Sequence, residues 1–180
     1  AIYESVLAVM ESTIPEYTEG GTIRERSGAI LPKTAPSSVY PSKDGEMIVI
    51  GANQESVFSR LTEAMEQPAL SKDAKYADHI SRGENQLVLD NCIAEWSVQL
   101  RSEDLLTTLE QHGVPAGAVL KGGEIINDPH LESRGFWDDV NHPEVGAYRQ
   151  VTTPWIFSKT RRIQTIPAPG LGEHNDSVLS

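Results

Sequence analysis

The chain has 180 residues, with 15 basic residues against 26 acidic ones and a formal net charge of −11. This acidity argues against a nucleic-acid surface or an anionic membrane surface, because both need clustered Lys and Arg. The single cysteine allows no internal disulfide and favours a reducing compartment, and no apolar run approaches the roughly 20 residues of a membrane span. The chain opens without an initiator Met, so we do not expect it to begin at a native start.

The first predicted element is a helix over Ile2–Tyr17. Its apolar residues fall on one face and its glutamates on another. An apolar stripe at the very beginning of the chain predicts packing against another part of the protein. The segment Thr22–Thr34, rich in charge and in Gly and Pro, is predicted to be an irregular connection.

The segment Ala35–Leu61 is the one around which we expect the compact part of the chain to form. Asp44-Gly45 predicts a tight hairpin turn. The apolar, β-branched run Met47–Ile50 that follows is typical of a strand buried on both faces. Asn53 is then a suitable N-cap for a helix over Asn53–Gln67.

Between that strand and that helix lies a corner of small and polar residues, Gly51, Ala52, Asn53 and Gln54. Gly51 and Ala52 leave room for something to approach the backbone. A polar side chain at a strand-to-helix junction, such as that of Gln54, is well placed to face a cleft. An exposed Gln in a first helical turn is equally ordinary, so both interpretations of Gln54 stay open. We predict that these four residues form a substrate-binding corner.

Further helices are predicted downstream. Ser81-Arg82-Gly83-Glu84 fits a capping box. A long amphipathic helix is predicted to follow it, with one apolar stripe formed by Leu89, Ile93, Trp96 and Leu100. Ser102 is predicted to cap the next helix, and Gly113 to end it in a left-handed conformation.

The remaining elements are shorter. Val114–Leu120 is predicted to be extended, and Asp128-Pro129 to open a short helix with Pro at its first position. Gly135–Val151 predicts two β segments around a turn, and Pro154–Phe157 another extended piece. Strands and helices alternate over 35–128, so the predicted fold class is α/β, with a compact centre and two arms.

The residues alone name no reaction. The five histidines have no pair at the spacing of a zinc site, so no metal site is predicted. Cys92 is predicted to be a small core residue, because no cation in helical register would activate it. Gly170–His174 contains a Gly-x-Gly but lacks the preceding strand and third glycine of a dinucleotide-binding motif. No Gly-x-Ser-x-Gly nucleophile motif is present.

Short matches to one family recur in order along nearly the whole chain. They are Ala1–Leu7, Arg26–Gly28, Ala35–Tyr40 with Lys43–Gly45, Gly113–Val119, Asp128–Leu131 with Arg134–Phe136, His142-Pro143 with Gly146, Pro154, and Ala168–His174 with Val178-Leu179. Each is weak alone, but their order and spacing resemble the class III CoA-transferases. This CaiB/BaiF family includes formyl-CoA transferase and α-methylacyl-CoA racemase.

The resemblance implies an organisation for the chain. Members of the family have a large CoA-binding domain with a Rossmann-like sheet and a smaller α/β domain, and two subunits interlock. This chain resembles the later part alone. Residues 1–34 would be an exit helix and linker, residues 35–128 the small α/β domain, and residues 129–180 the returning arm. Both arms would pack on a large domain that the sequence lacks.

The resemblance also implies a reaction. In the family, an aspartate of the large domain attacks the acyl-CoA thioester, and an anhydride and then an aspartyl-CoA thioester form. That aspartate lies upstream of Ala1, so no catalytic residue is expected in this chain, which should be inactive alone. Acyl-CoA and a small carboxylic acid would be the partners, with coenzyme A as substrate and no permanent cofactor. We expect an interlocked homodimer in the cytoplasm that binds neither nucleic acid nor membrane.

Two differences between this sequence and members of the family indicate which branch it resembles. Its racemases carry a small-domain glutamate where this chain has Gln54, and Gln cannot exchange a proton near neutral pH. Its formyl-CoA transferases carry a glycine-rich loop before the hairpin, whereas Leu31–Ser38 has no glycine. A transferase for another small acid, such as a dicarboxylate, is therefore the leading hypothesis. A racemase of the same family, or a non-catalytic module whose apolar arms bind a partner chain, are the alternatives.

Overall fold

The computed structural model describes residues 1–10 and 12–179. The helices are α1 (Ile2–Ala8), α2 (Thr13–Gly20), α3 (Glu55–Ala64), α4 (His79–Glu84), α5 (Gln86–Ser97), α6 (Ser102–Gln111), α7 (Gly122–Ile125), α8 (Pro129–Ser133) and α9 (Asn175–Leu179). The strands are β1 (Ser37–Pro41), β2 (Met47–Gly51), β3 (Ala116–Ala118), β4 (Trp137–His142) and β5 (Gly146–Val151).

The chain divides into two compact units, Ala1–Val119 and Leu120–Ser180. The first contains a three-stranded antiparallel sheet in the order β1-β2-β3, and the second contains the antiparallel pair β4-β5. Helices and strands are mixed along the first unit, so the predicted α/β class is confirmed.

The core of the first unit lies between the sheet and the helices that follow it. Tyr40, Ile48 and Ile50 point to one face of the sheet, because alternate residues of a strand share a face. Helix α5 packs on β1, and α6 packs on β2 and β3. The helices complete this core with Phe58, Leu61, Leu89, Ile93, Leu105 and Leu109.

The prediction that the strand after the hairpin is buried on both faces is wrong. The helices cover only the face that carries Ile48 and Ile50. The opposite face carries Met47 and Val49, whose residues remain 38% and 45% exposed. An apolar run of four residues cannot distinguish these cases, because the sequence does not tell whether one or two layers cover the sheet.

The predicted single helix at the start of the chain is also wrong. The structure has α1 and α2 instead, and Glu11 between them lies outside the described residues. Around the junction, Thr13 Oγ1 donates to the carbonyl of Met10 at 2.8 Å, and Ser12 Oγ donates to Glu16 Oε1 at 2.6 Å. Such local side-chain bonds compete with a continuous helix. Helix α2 ends at Gly20, and the following residue, Gly21, adopts the left-handed conformation.

The predicted capping box at Ser81–Glu84 is wrong, and the long helix expected after it begins later. Helix α4 already begins at His79, and its cap is Asp78, whose Oδ1 accepts from the backbone N–H of Ser81 at 2.7 Å. Asn85 separates α4 from α5. The sequence has the capping-box pattern, but Asp78, which precedes Ser81, caps the helix instead.

Two further caps differ from the prediction by one residue. The N-cap of α3 is Gln54, not Asn53, and the N-cap of α6 is Arg101, so that Ser102 is the first helical residue. Asp44 supplies the missing acceptor for α6 from the hairpin turn. Its Oδ1 accepts from the backbone N–H of Ser102 at 2.9 Å, and its Oδ2 accepts from the Ser102 hydroxyl at 3.0 Å. The turn and the helix are therefore joined by one carboxylate.

The second unit follows the local signals in the sequence. Asp128 Oδ1 accepts from the backbone N–H groups of His130 and Leu131, which confirms the predicted start of α8. The two β segments predicted within Gly135–Val151 are confirmed as β4 and β5. Pro154–Phe157 forms no strand within the described part of the chain.

Large apolar side chains are exposed near both ends of the chain. Helices α1 and α2 contain no residue that is classed as buried. The exposed apolar residues at the two ends include Ile2, Tyr3, Val9, Ile14, Tyr17, Trp155, Ile156, Phe157, Ile163, Ile166, Val178 and Leu179. Among the described residues, no helix is both long enough and apolar enough to cross a membrane.

Candidate functional site

The predicted substrate-binding corner lies where β2 turns into α3. The backbone N–H of Gly51 donates to the carbonyl of Pro115 at 3.0 Å, and that of Ala52 donates to the carbonyl of Pro36 at 2.9 Å. These bonds come from two different segments, one on each side of β2. They hold the backbone of the corner where the strand ends.

The four predicted residues differ in exposure. Ala52 is completely buried in the core, so this predicted residue presents no surface to a ligand. Gly51 and Asn53 are half-buried, and Gln54 is exposed. The carbonyl of Gln54 accepts the first N–H groups of α3, but its side chain makes no capping hydrogen bond. The amide of Gln54 is therefore available at the surface. No ligand tests the role of these residues, which stays a prediction.

The uncovered face of the sheet lies next to the corner, and two of its positions are glycines. A Cβ built on Gly51 would meet no atom within 4 Å, and the same is true of Gly117 on β3. Gly117 lies opposite Val49, which shares a face of β2 with Gly51. This open sheet face, formed by Val49, Gly51 and Gly117, lets another molecule approach the backbone closely.

The corner has one buried charged neighbour that the sequence analysis missed. Arg82, from α4, is completely buried, and its Nη2 donates to the carbonyl of Asn53 at 2.8 Å. The same nitrogen lies 3.3 Å from Oε1 of Glu55. The pKa of Glu55 is lowered, first by its own backbone N–H and then by Arg82. Nothing in the local sequence distinguishes this arginine from an exposed helical one.

A second buried polar group lies on the other side of the core. The hydroxyl of Tyr40 donates to Asp90 Oδ1 at 2.5 Å, while Asp90 Oδ2 is buried without a hydrogen-bond partner in the described structure. Burial raises the pKa of Asp90. Burial, with the neighbouring carboxylate, also raises the pKa of Tyr40. These groups join β1 to α5, and their place in the core makes them structural.

Cys92 lies beside a surface groove of about 560 Å³, which is lined by residues of α3, α5 and α6. Burial raises the pKa of the Cys92 thiol, with Glu95 as a further cause. A raised pKa favours the thiol over the nucleophilic thiolate. The residue packs against the core, in agreement with its predicted role.

The described residues contain no group of three or more His, Cys, Asp or Glu side chains that could hold a metal ion. At the corner, the exposed side chain of Gln54 presents its amide at the surface.

The sequence model of CoA-transferase family III matches residues 1–175. The chain belongs to CoA-transferase family III. The predicted resemblance is confirmed over nearly the whole chain.

Relatives that are named as CoA-transferases align with nearly the whole chain. The chain is 42% identical over 179 residues to succinyl-CoA–D-citramalate CoA-transferase of Chloroflexus aurantiacus, covering 99% of this chain and 44% of the relative. It is 35% identical over 184 residues to succinyl-CoA:mesaconate CoA-transferase of Haloarcula hispanica, again covering 99% and 44%. A succinate–glutarate CoA-transferase of Agrobacterium fabrum is 28% identical over 180 residues, covering 100% and 45%.

A solved structure agrees with this assignment. The crystal structure of a CaiB/BaiF family protein from Brucella suis matches with a TM-score of 0.75 and 25% identity, covering 99% of this chain and 46% of that one. The chain thus spans a little under half the length of the relatives that it matches. This agrees with the predicted fold, a small α/β domain that forms only part of a larger protein.

Proposed function

We propose that this chain is the later part of an enzyme that transfers coenzyme A between carboxylic acids. The observation that carries the proposal is the 42% identity, over 99% of the chain, to a relative named as a succinyl-CoA–D-citramalate CoA-transferase. Three further relatives with near-complete coverage of this chain carry names of the same reaction type.

The reactive carboxylate would lie outside this chain. In the proposed reaction, an aspartate attacks the acyl-CoA thioester, and its carboxylate oxygen forms a bond to the acyl carbon while the CoA thiolate leaves. The thiolate then attacks the aspartyl carbonyl of the anhydride and releases the donor acid. The acceptor carboxylate reverses these steps. Covalent catalysis of this kind divides one difficult exchange into easier ones.

The acids exchanged would be small dicarboxylates. Succinyl-CoA, citramalate, mesaconate and glutarate all occur in the names of the relatives. The free amide of Gln54 can donate to a carboxylate through its two N–H groups, and the open sheet face allows a close approach beside it. We place the contact of the small domain with substrate at Gly51, Asn53 and Gln54, the accessible residues of the corner.

Both ends of the chain would be covered in the intact enzyme. Apolar side chains that protrude at 1–34 and at 152–179 favour packing against further protein. We propose that they pack on a large domain preceding this chain and that two such subunits interlock as a homodimer in the cytoplasm. Some relatives are named as alpha and beta subunits, so a complex of unlike subunits is an outcome that mass measurement of the native assembly would reveal.

Exchange by the intact protein tests the proposed reaction. The protein is incubated with succinyl-CoA and a panel of acids that includes citramalate, mesaconate, malate and glutarate, and acyl-CoA products are separated by chromatography. We expect exchange with at least one dicarboxylate. No exchange with any acid, together with epimerisation of a 2-methylacyl-CoA, would replace the proposal by the racemase alternative.

A matched pair of glycine substitutions tests the site. Gly51→Ala adds one methyl group to the open sheet face, where no protein atom lies within 4 Å, so stability should not change. If substrate lies there, KM should rise about tenfold, because one misplaced methyl in a tight contact costs about 1–3 kcal/mol. The control is Gly123→Ala, which also has open space around it but lies in α7. Equal KM values for the two variants would remove Gly51 from the site.

A further inference from the structure

The side chain of Arg82 is completely buried although it carries a permanent charge. Taking a guanidinium out of water is costly unless its N–H groups find good acceptors. Arg82 belongs to α4, but its acceptors lie in other segments of the first unit. The side chain therefore connects parts of the fold that are distant in sequence.

Three backbone carbonyls surround the guanidinium. Nε donates to the carbonyl of Ala35 at 3.1 Å, and Nη1 donates to the carbonyl of Tyr76 at 3.2 Å. Nη2 donates to the carbonyl of Asn53 at 2.8 Å, the shortest of the three. Cζ lies 4.9 Å from the centroid of the Phe58 ring, a cation–π distance.

The ion pair with Glu55 cannot explain this arrangement. The side chain of Glu55 is 65% exposed, and its oxygen lies 3.3 Å from the guanidinium. Pairs that reach into solvent contribute little, because water screens them. The carbonyl acceptors and the aromatic ring are what hold Arg82 in place.

The bond to Asn53 acts directly on the substrate-binding corner. The carbonyl of Asn53 and the N–H of Gln54 belong to one planar peptide, so a bond that fixes the carbonyl also fixes the direction of that N–H. The N–H groups of Gly51 and Ala52 are already bonded to neighbouring segments. Arg82 supplies a further constraint at the peptide that joins Asn53 to Gln54.

We propose that Arg82 is the positioning residue of the substrate-binding corner and holds the Asn53–Gln54 peptide in the orientation that presents Gln54 to substrate. The inference rests on the proposed function, because it takes the corner as the place where substrate binds. Lys cannot replace Arg82, since one ammonium nitrogen cannot span three carbonyls that a planar guanidinium reaches in different directions.

The kinetic test uses the intact protein with succinyl-CoA and its best acceptor acid. For Arg82→Lys we expect KM for the acid to rise at least tenfold, with kcat reduced less than threefold. Ile93→Val, a core substitution in α5, lowers Tm without touching the corner and should leave KM within twofold of wild type. Similar KM values for the two variants, measured well below both Tm values, would overturn the proposal.

Phe58→Leu provides a second variant in case Arg82→Lys does not fold. It keeps every acceptor of the guanidinium and removes only the ring beside it. We expect KM to rise about threefold with kcat unchanged. An unchanged KM, with Tm lowered by the loss of the ring contact, would overturn the proposal, because loosening the guanidinium would then leave substrate binding unaffected.

Amide hydrogen exchange separates this inference from the proposed function. If Arg82 holds the corner, exchange at Ala52, Val57 and Phe58 should be at least tenfold faster in Arg82→Lys, or in Phe58→Leu where Arg82→Lys does not fold, while Leu105 and Leu109 in α6 keep the wild-type rate. Uniform acceleration would show a purely structural role and overturn the inference. A wild-type protein that transfers no CoA would instead overturn the proposed function, with this exchange pattern still deciding how the corner is held.

Discussion

Residues 35–119 and residues 1–34 belong to one compact unit but differ in what they do with apolar side chains. The buried core of this unit runs from Ala35 to Val114. Helices α1 and α2 contribute no buried residue, and Ile2 is 88% exposed. The centre is therefore stabilised by its own hydrophobic core. Helices α1 and α2 instead leave their apolar side chains exposed to solvent.

The exposed apolar residues at the ends distinguish these segments from the self-contained centre. An apolar side chain stabilises a protein only when it leaves water. The segments at both ends carry many such side chains in the exposed state, in a chain that spans a little under half the length of its relatives. The end segments are therefore candidate contact surfaces. The centre is a candidate for an independent folding unit.

The largest expected effect is the difference in stability between a Leu→Ala substitution in the centre and the same substitution in an end segment. Leu61 is fully buried, whereas Leu179 is 81% exposed. Leu61→Ala should lower the free energy of unfolding by about 2–5 kcal/mol, because it leaves a cavity. Leu179→Ala should change it by less than about 0.5 kcal/mol in this chain alone. Urea unfolding checks both, and equal losses would end the distinction between the regions.

Tyr40→Phe is the next test, because it removes the hydrogen-bond donor of a buried carboxylate in the centre. Asp90 would then lack its bond from the tyrosine hydroxyl, and we expect a loss of about 1–3 kcal/mol in urea unfolding at pH 8. A loss close to zero would mean that solvent reaches Asp90 and that the centre is less closely packed than its burial indicates.

The pH dependence of the free energy of unfolding tests whether the pKa of Asp90 is raised. The folded-state pKa of Asp90 is raised, so the protonated form stabilises the fold fully below the unfolded pKa of about 4. This stabilisation is lost as the pH rises through the folded pKa. Asp90→Asn does not titrate, and its stability relative to wild type should therefore increase from pH 4 to pH 8. A difference that stays constant over this range would contradict a raised pKa.

Gly83→Ala tests how the linker 22–34 is attached to the centre. A Cβ at Gly83 would lie 2.9 Å from the carbonyl oxygen of Lys33, and Gln86 bonds the same segment at Leu31 and Lys33. The clash should exceed the gain from a better helix former, for a net loss of about 1 kcal/mol. Limited proteolysis should show faster cleavage within 22–34. Unchanged cleavage would mean that the linker is not held there.

Asp44→Asn should give the smallest effect, a fall in Tm of a few degrees. The hydroxyl of Ser42 and the backbone N–H of Ser102 lower the pKa of Asp44, and the Ser102 hydroxyl contributes further. The stabilisation by a lowered pKa is present above the unfolded value of about 4 and is lost as the pH falls through the folded value. The Tm difference between wild type and variant should therefore shrink in acid. A difference that grows in acid would reverse the assignment.

The sequence predicted the features that depend on neighbouring residues. The hairpin at Asp44-Gly45, the helix opened by Asp128-Pro129 and the left-handed Gly113 all follow from local backbone chemistry. The family could be recognised for a related reason, since several of the matching segments contain these turns, and the order and spacing of the segments resemble the family.

The features that the sequence did not predict depend on contacts between distant segments. The open face of β2 follows from how many layers cover the sheet, which the run Met47–Ile50 does not encode. The residues around Arg82 do not indicate its burial, because its acceptors at Ala35 and Asn53 lie many residues away. The corner is predicted from the local sequence, whereas its bond to the buried Arg82 is not.

Mass spectrometry of the protein after incubation with succinyl-CoA tests whether the reactive carboxylate lies outside this chain, as we propose. We expect a covalent CoA adduct on the intact protein and none on the 180-residue chain alone. An adduct of equal yield on the isolated chain would contradict it, because the nucleophile would then lie within these residues.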